Sequence, residues 1–310
     1  MRVAVTGASG FVGGAVCREL VARGARVHAY GRRAAVRAEH VADARYRSWD
    51  LARGPLDPAP SVDVVVHCAG SVTDWGPIPG FFEVNLDGTR NALASFPGTR
   101  FVHVSTASVY DPYRPTVMAT EDEAPVRRYV NAYGASKAAA ERAVLKSGAE
   151  SVILRPHAVY GPGDTTLLPR VEASVRGPFL FAVGTGRQRI SLTSVGNLVR
   201  ACVLACERPG VSGVFNVTDA EPVVLDDALA VILAERGIEA ERIYLPAGPA
   251  LRLAAVVEGL HLLAGARRPP RLTRYALGHL AVERTLDLTA ARTRLGYRPE
   301  PTSFAGAYSW

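Results

Sequence analysis

Apolar and polar positions along the first 160 residues switch period again and again. Val3-Ala4-Val5-Thr6 is a short run of β-branched and small apolar residues, and beyond a glycine-rich turn the apolar positions from Ala15 to Leu20 follow helical spacing. The same switch predicts strands near 2–6, 26–30, 44–48, 62–67, 100–105 and 151–155, and helices near 11–23, 80–95 and 130–147. Alternation of this kind implies a parallel sheet with helices on both faces. After Tyr160 the pattern loosens. Gly161-Pro162-Gly163-Asp164 reads as a loop, followed by a helix near 167–176 and a stretch holding Gly177, Gly184 and Gly186. Ser194 to Cys206 reads as helix, Val214 to Val217 as strand, and the remainder as mostly helix with one short strand near Arg242–Leu245.

The turn after the first strand is Gly7-Ala8-Ser9-Gly10-Phe11-Val12-Gly13. Strand, glycine turn and helix in that order form the first unit of a dinucleotide-binding fold. Gly7 lets the chain turn off the strand, Gly10 lets the backbone approach a pyrophosphate, and Gly13 lets the helix pack closely. Free N–H groups and the dipole at the helix start favour the negative charge. The expected architecture is therefore α/β, a Rossmann-type doubly wound parallel sheet. Residues 1–164, completed by about 191–218, form the nucleotide domain; 165–190 and 219–310 form a smaller, mostly helical substrate-binding region.

At 310 residues the chain can bury a large core, and 48% hydrophobic with 21% charged residues is ordinary for a soluble enzyme. Its net charge of +7 is spread out, with small clusters at Arg32-Arg33, Arg127-Arg128 and Arg267-Arg268. No run is dense enough for a nucleic-acid groove; the excess suits an anionic cofactor. Cys17, Cys68, Cys202 and Cys206 are poorly placed for disulfides or a metal and read as small buried side chains. The chain enters its first strand at once, which leaves no room for a signal peptide and predicts a reducing cytoplasm. The apolar stretch from Pro249 to Gly265 is interrupted by Arg252, Glu258 and His261 and is too short to span a bilayer. It reads as a helix over a substrate pocket or as a core helix, and membrane contact is not expected.

Tyr133-Gly134-Ala135-Ser136-Lys137 sits on the helix near 130–147, where i and i+4 share a face. A neighbouring ammonium stabilises a phenolate, so Tyr133 is expected to carry a lowered pKa and to exchange protons near neutrality. Ser105, Thr106 and Ser108 follow the strand near 100–105, at the end where ligands of open α/β sheets bind.

Together these residues resemble the extended short-chain dehydrogenases/reductases, the NAD-dependent epimerase/dehydratase family, over most of the chain. The resemblance makes Gly7, Ser9, Gly10, Phe11, Val12 and Gly13 the cofactor motif, Asp50 and Leu51 the adenine-edge contact, and Cys68, Ala69 and Gly70 a lining after the fourth strand. It matches Asn85 to the family's helix-four asparagine, and Pro156 and His157 to the segment passing the nicotinamide. Thr106 falls at the catalytic Ser/Thr position, beside Tyr133 and Lys137; Lys137 is implied to bind the nicotinamide ribose. Ser108 is a substrate-contact candidate, and Ser105, with a cofactor-side role, is the alternative to Thr106. Ser194-Val195-Gly196-Asn197-Leu198, Pro269-Pro270-Arg271-Leu272-Thr273-Arg274 and Asp74-Trp75-Gly76 are similar to the 3β-hydroxysteroid dehydrogenase-like subgroup, with Trp75 as a substrate contact.

The implied reaction is that of a ketoreductase or secondary-alcohol dehydrogenase on a largely hydrophobic carbonyl compound, such as a sterol, polyketide or 3-oxo acid. Tyr133 would protonate the oxygen while Thr106 holds it. A nucleotide-sugar epimerase remains the alternative, with Arg187 or Arg189 holding a diphosphate; a non-catalytic NADP-binding regulator ranks last because the Tyr/Lys pair is intact. The second strand is followed by Gly31-Arg32-Arg33, with no carboxylate until Glu39. Arginine accommodates a 2′-phosphate where NAD enzymes place an acid, so NADP(H) is expected over NAD(H). A small-molecule substrate and no metal complete the expectation, and a homodimer is compatible with it.

Overall fold

The computed structural model describes residues 1–310 except 74, 113, 265, 267–269 and 271–272. The Arg267-Arg268 cluster and Asp74, Pro269, Arg271 and Leu272 of the subgroup motifs lie outside the described residues.

Seven parallel strands form the central sheet. They are β1 (Arg2–Thr6), β2 (Arg26–Gly31), β3 (Arg45–Ser48), β4 (Val64–His67), β5 (Arg100–Val104), β7 (Ser151–Pro156) and the strand Gly213–Val217, while β6 (Thr116–Ala119) belongs elsewhere. From one edge the order is Gly213–Val217, β7, β5, β4, β1, β2, β3. The order reverses between β1 and β4, which opens the crevice where ligands of such sheets bind.

Side-chain alternation explains why the sheet is covered on both faces. Val3 and Val5 of β1, Val64 and Val66 of β4 and Phe215 pack with Val16 and Leu20 of helix α1 (Phe11–Ala22) and with Leu198 and Cys202 of the helix Val195–Glu207. Ala4, Val65, Phe101 and Ile153, one position out of phase, pack on the opposite face with Ala92, Phe96 and Val144. Strands buried on both sides read as continuous apolar runs, as these do. All four cysteines are free thiols; Cys17, Cys202 and Cys206 lie in the first of these cores, where burial pushes Cys17 and Cys206 up to about 12.

A short helix α2 (Ala38–Val41) follows β2. The helix expected near 80–95 is interrupted. It runs as α3 (Ile78–Phe82), a wide π-turn (Glu83–Asp87) and α4 (Gly88–Ser95), and the π-turn carries Asn85 inward. Such turns often mark functional sites. Helix α5 (Ala132–Lys146) begins where the Asn131 side chain accepts from the Gly134 N–H at 3.1 Å.

The C-terminal region is mostly helical, with Leu167–Ala173, Leu225–Glu235, Ala247–Leu263 and Arg274–Ala281, but it carries more strands than the one expected near Arg242–Leu245. Val175–Arg176, Phe179–Val183 and Glu241–Leu245 form a three-stranded sheet. A four-stranded sheet joins Val223–Val224, Arg189–Ile190, Arg284–Leu286 and β6. Strands of two or three residues carry no readable period, and the glycines around 177–186 masked the longer one. Among the described residues, no helix is long and apolar enough to cross a membrane.

Candidate active site

A single cavity of about 1220 Å³ runs from the glycine turn, across the C-terminal ends of β1, β4, β5 and β7, to an apolar wall beyond α5. At one end the backbone itself shapes it. Gly7 has φ +68°, and a Cβ there would lie 2.6 Å from the Ala69 nitrogen; a Cβ on Gly13 would lie 2.2 Å from the Gly7 carbonyl oxygen. Gly13 thus serves close packing against the turn itself rather than against the sheet. The cradle leaves the start of α1, with Gly10 as N-cap, open to an anion. Those features, with the lining residues Ser9, Phe11, Val12, Cys68, Ala69 and Gly70, fit a dinucleotide.

Further along, Arg32, Arg33, Asp50 and Leu51 line the cavity beside the ends of β2 and β3. Tyr46 fixes the backbone here by donating to the Arg33 carbonyl at 2.7 Å, and both arginine side chains are exposed. The Asp50 carboxylate accepts from the Ala52 N–H at 3.3 Å and pairs with Arg53. Pro156 and His157 line the opposite side. The His157 ring is held through Nδ1 on the Ser191 carbonyl oxygen at 2.6 Å, and burial pushes it down to about 4.

Asn85 does not line the cavity. It is 1% exposed, accepts from the Ser71 N–H at 2.7 Å and donates to the Ser136 hydroxyl at 2.9 Å. It therefore ties the loop after β4 to α5. Ser105 lines the cavity, but its hydroxyl donates away from it, to Glu141. Glu141 and Arg155 form a buried two-pronged ion pair at 2.8 and 3.0 Å, which joins the end of β5 to α5 and β7.

Thr106, Ser108, Tyr133 and Lys137 come together midway along the cavity. The Thr106 hydroxyl accepts from the Ser108 N–H and donates to the Ser108 hydroxyl, both at 3.1 Å. Burial raises the Tyr133 phenol, while a hydrogen bond shared with Thr106 and the charge of Arg170 pull the other way. The expected lowering by Lys137 is not what the geometry delivers. The Lys137 ammonium donates to the Val104 carbonyl at 2.7 Å and lies 3.3 Å from His103 Nε2. Burial pushes Lys137 itself down to about 8, against the opposing pull of Glu141 and Cys68.

Two substrate-contact expectations are corrected. The Trp75 indole donates to the Ala266 carbonyl at 3.2 Å and meets His261 edge-on, so it braces the helix Ala247–Leu263 instead of lining the cavity. Arg187 is exposed and outside the cavity, and so is Arg189. Arg170 and Arg176 line it instead. The Arg170 guanidinium lies 5.7 Å from the centre of the Tyr275 ring, and Tyr275 shares a 3.1 Å hydrogen bond with Ser108 and meets Tyr133 edge-on. The sequence signals nearest to them are the helix expected near 167–176, which holds Arg170, and the motif ending at Arg274, which Tyr275 follows directly. The helix Ala247–Leu263 also departs from expectation, because none of its described residues lines the cavity. Leu253, Val256, Leu260 and Leu263 face solvent, and the apolar wall comes from Val171, Leu180, Val183, Leu229, Leu245 and Leu277.

The chain is similar to known proteins over nearly its whole length. A 2-alkyl-3-oxoalkanoate reductase of Stenotrophomonas maltophilia is 31% identical over 97% of this chain and 95% of its own length. The 4-hydroxy-2-methyl-3-oxo-4-farnesyl-3,4-dihydroquinoline-1-oxide ketoreductase of Stigmatella aurantiaca is 33% identical over 99% of this chain and 94% of its own. The UDP-glucuronic acid 4-epimerase of Bacillus cereus, solved with NAD, superposes with a TM-score of 0.72 at 21% identity, covering 100% of this chain and 94% of that one, which shows the shared fold. Residues 3–218 match the NAD dependent epimerase/dehydratase family. The chain belongs to that family, and it is an NAD(P)-dependent oxidoreductase of the extended short-chain type.

Proposed function

We propose that the protein is an NADP(H)-dependent ketoreductase for a largely apolar carbonyl substrate, with a 3-oxo acid the best-fitting class. The carrying observation is the continuity of the cavity: a backbone cradle at one end, hydroxyl and ammonium groups midway, and an apolar wall at the other. The names of the two bacterial relatives, both reductases of 3-oxo compounds, support the reading. Arg170, within electrostatic reach of Tyr133, suits a carboxylate carried beside the reacting carbonyl.

In this reading the turn from Gly7 to Gly13 would hold the pyrophosphate, Lys137 the nicotinamide ribose, and Pro156 and His157 the nicotinamide side of the site. The cofactor, when bound, would supply the hydride. Tyr133 delivers a proton to the carbonyl oxygen, and its raised pKa keeps it in the donor form. On substrate binding the Thr106 hydroxyl turns its one proton from the Ser108 hydroxyl to the same oxygen and orients it. The epimerase alternative loses support because Arg187 and Arg189, its diphosphate candidates, lie outside the cavity.

Cofactor choice rests on Arg32 and Arg33, which follow β2 without a carboxylate to bind a ribose 2′-hydroxyl. Comparing kcat/KM for NADPH and NADH against a panel of long-chain 3-oxo acids, neutral ketones and UDP-sugars tests the proposal. NADPH is expected to win, and Arg32→Ala to lower its kcat/KM by about tenfold while sparing NADH. Equal use of NADH, or turnover restricted to UDP-sugars, overturns it.

A further inference from the structure

Beneath the midpoint of the cavity two histidines lie side by side on adjacent strands. His67 and His103 are register partners of β4 and β5, both are fully buried, and their rings stack at 5.3 Å. Their hydrogen bonds set them apart. The Thr89 hydroxyl donates its one proton to the Asn85 carbonyl at 2.6 Å, so toward His67 Nε2, at 3.0 Å, it acts only as acceptor. His67 therefore carries its proton on Nε2 and accepts from the Thr6 hydroxyl through Nδ1 at 2.8 Å. Both its nitrogens are satisfied.

His103 is not satisfied. Its Nε2 lies 3.3 Å from the Lys137 ammonium, a group with donors only, so Nε2 must accept and the ring proton must sit on Nδ1. That Nδ1 is buried and has no hydrogen-bond partner among the described residues. An orphaned buried N–H is costly, and a leucine or phenylalanine on this strand would avoid the cost. The residue keeps an acceptor under the lysine at the expense of a donor facing nothing.

We propose that His103 is a positioning residue for the reaction: with the Val104 carbonyl, it takes two of the three Lys137 donors and aims the third into the cavity. The inference rests on the role assigned to Lys137 above. The charged and titratable groups facing the ammonium are Glu141 one turn along α5, Cys68 after β4, and the neutral pair His67 and His103. Burial keeps both rings neutral, so His103 acts as a dipole and not as a second charge. An acceptor bonded to the charged amine favours its charged form. Removing it leaves Lys137 deprotonating at lower pH.

The test compares His103→Leu, His103→Gln and Lys137→Ala by kcat, KM and the pH dependence of kcat between about pH 6 and 10, with thermal melts as a check on folding. Glutamine can present its Oε1 where Nε2 lies; leucine cannot. His103→Leu is expected to lower kcat about tenfold, leave the KM for the ketone unchanged, and move the alkaline limb about one unit toward acid. His103→Gln is expected to restore most of both. A leucine variant with wild-type kcat and pH profile, or a glutamine variant as impaired as the leucine one, overturns the inference. If the leucine variant does not fold, His103→Asn, whose amide falls short of Nζ, replaces it, and equal profiles for the asparagine and glutamine variants overturn it. Wild-type turnover in Lys137→Ala instead overturns the underlying role of the lysine, which keeps the two failures distinct.

Discussion

The two ends of the cavity are built from different materials. At the glycine turn the wall is main chain, set by β1 and the start of α1, with Gly7 and Gly13 approaching other backbone atoms so closely that no Cβ fits. At the far end the wall is side chain, contributed by short strands and helices that include the exposed Leu245 and half-buried Leu277. Backbone walls cannot be edited one residue at a time. Side-chain walls can, because removing a leucine there changes volume and leaves the chain path alone. Cofactor recognition is therefore expected to be brittle, and substrate recognition plastic.

The hardest blow falls where the two ends meet. Tyr133→Phe should cut kcat by roughly 10²–10⁴, the usual worth of acid–base catalysis, while fluorescence titration shows cofactor binding intact. Turnover within a fewfold of wild type would mean that another group supplies the proton. Next comes the backbone wall. Gly13→Ala drives a methyl against the Gly7 carbonyl and should lower stability by about 1–3 kcal/mol, with dinucleotide affinity falling in parallel. A melt and a cofactor titration matching wild type would remove the distinction between the two walls. The mildest change sharpens it. Leu245→Ala should raise the KM for a long-chain ketone by about 5–10-fold, with cofactor affinity and melting temperature near wild type. Cofactor affinity falling alongside would show that the ends are coupled.

The same contrast explains what could be read in advance. The runs at Val3–Val5 and Val64–Val66 show their strands because both faces of each are buried, and the glycine turn and the Tyr133/Lys137 pair are local enough to be seen in a few letters. Substrate-side residues are not local. Arg170 and Tyr275 meet Tyr133 from more than 30 positions away, so no spacing announces them. Hydrophobicity alone also misled, since it reports that Leu253, Val256 and Leu260 are apolar without saying which way they face; they face outward. Trp75 and Arg187 were singled out by chemistry and neighbouring motif, but their positions in space send them elsewhere. His103 carries no signal of its own within the strand near 100–105, because its partner Lys137 lies 34 positions further on, on a helix, and is brought to it by folding.

One consequence concerns synthesis on the ribosome. The strand β6 leaves the catalytic loop and pairs not with the central sheet but with Arg284–Leu286; the Met118 N–H donates to the Thr285 hydroxyl across 167 positions of chain. Arg284 also donates to the carbonyls of Pro112 and Arg114 at 2.7 and 2.8 Å, pinning the segment just past the reacting residues. A nascent chain that has already emitted β1 to β5 can close the glycine cradle, yet its catalytic loop lacks these anchors until residues 284–286 emerge. Throughout that interval β6 is an unpaired edge, open to mispairing with neighbouring chains.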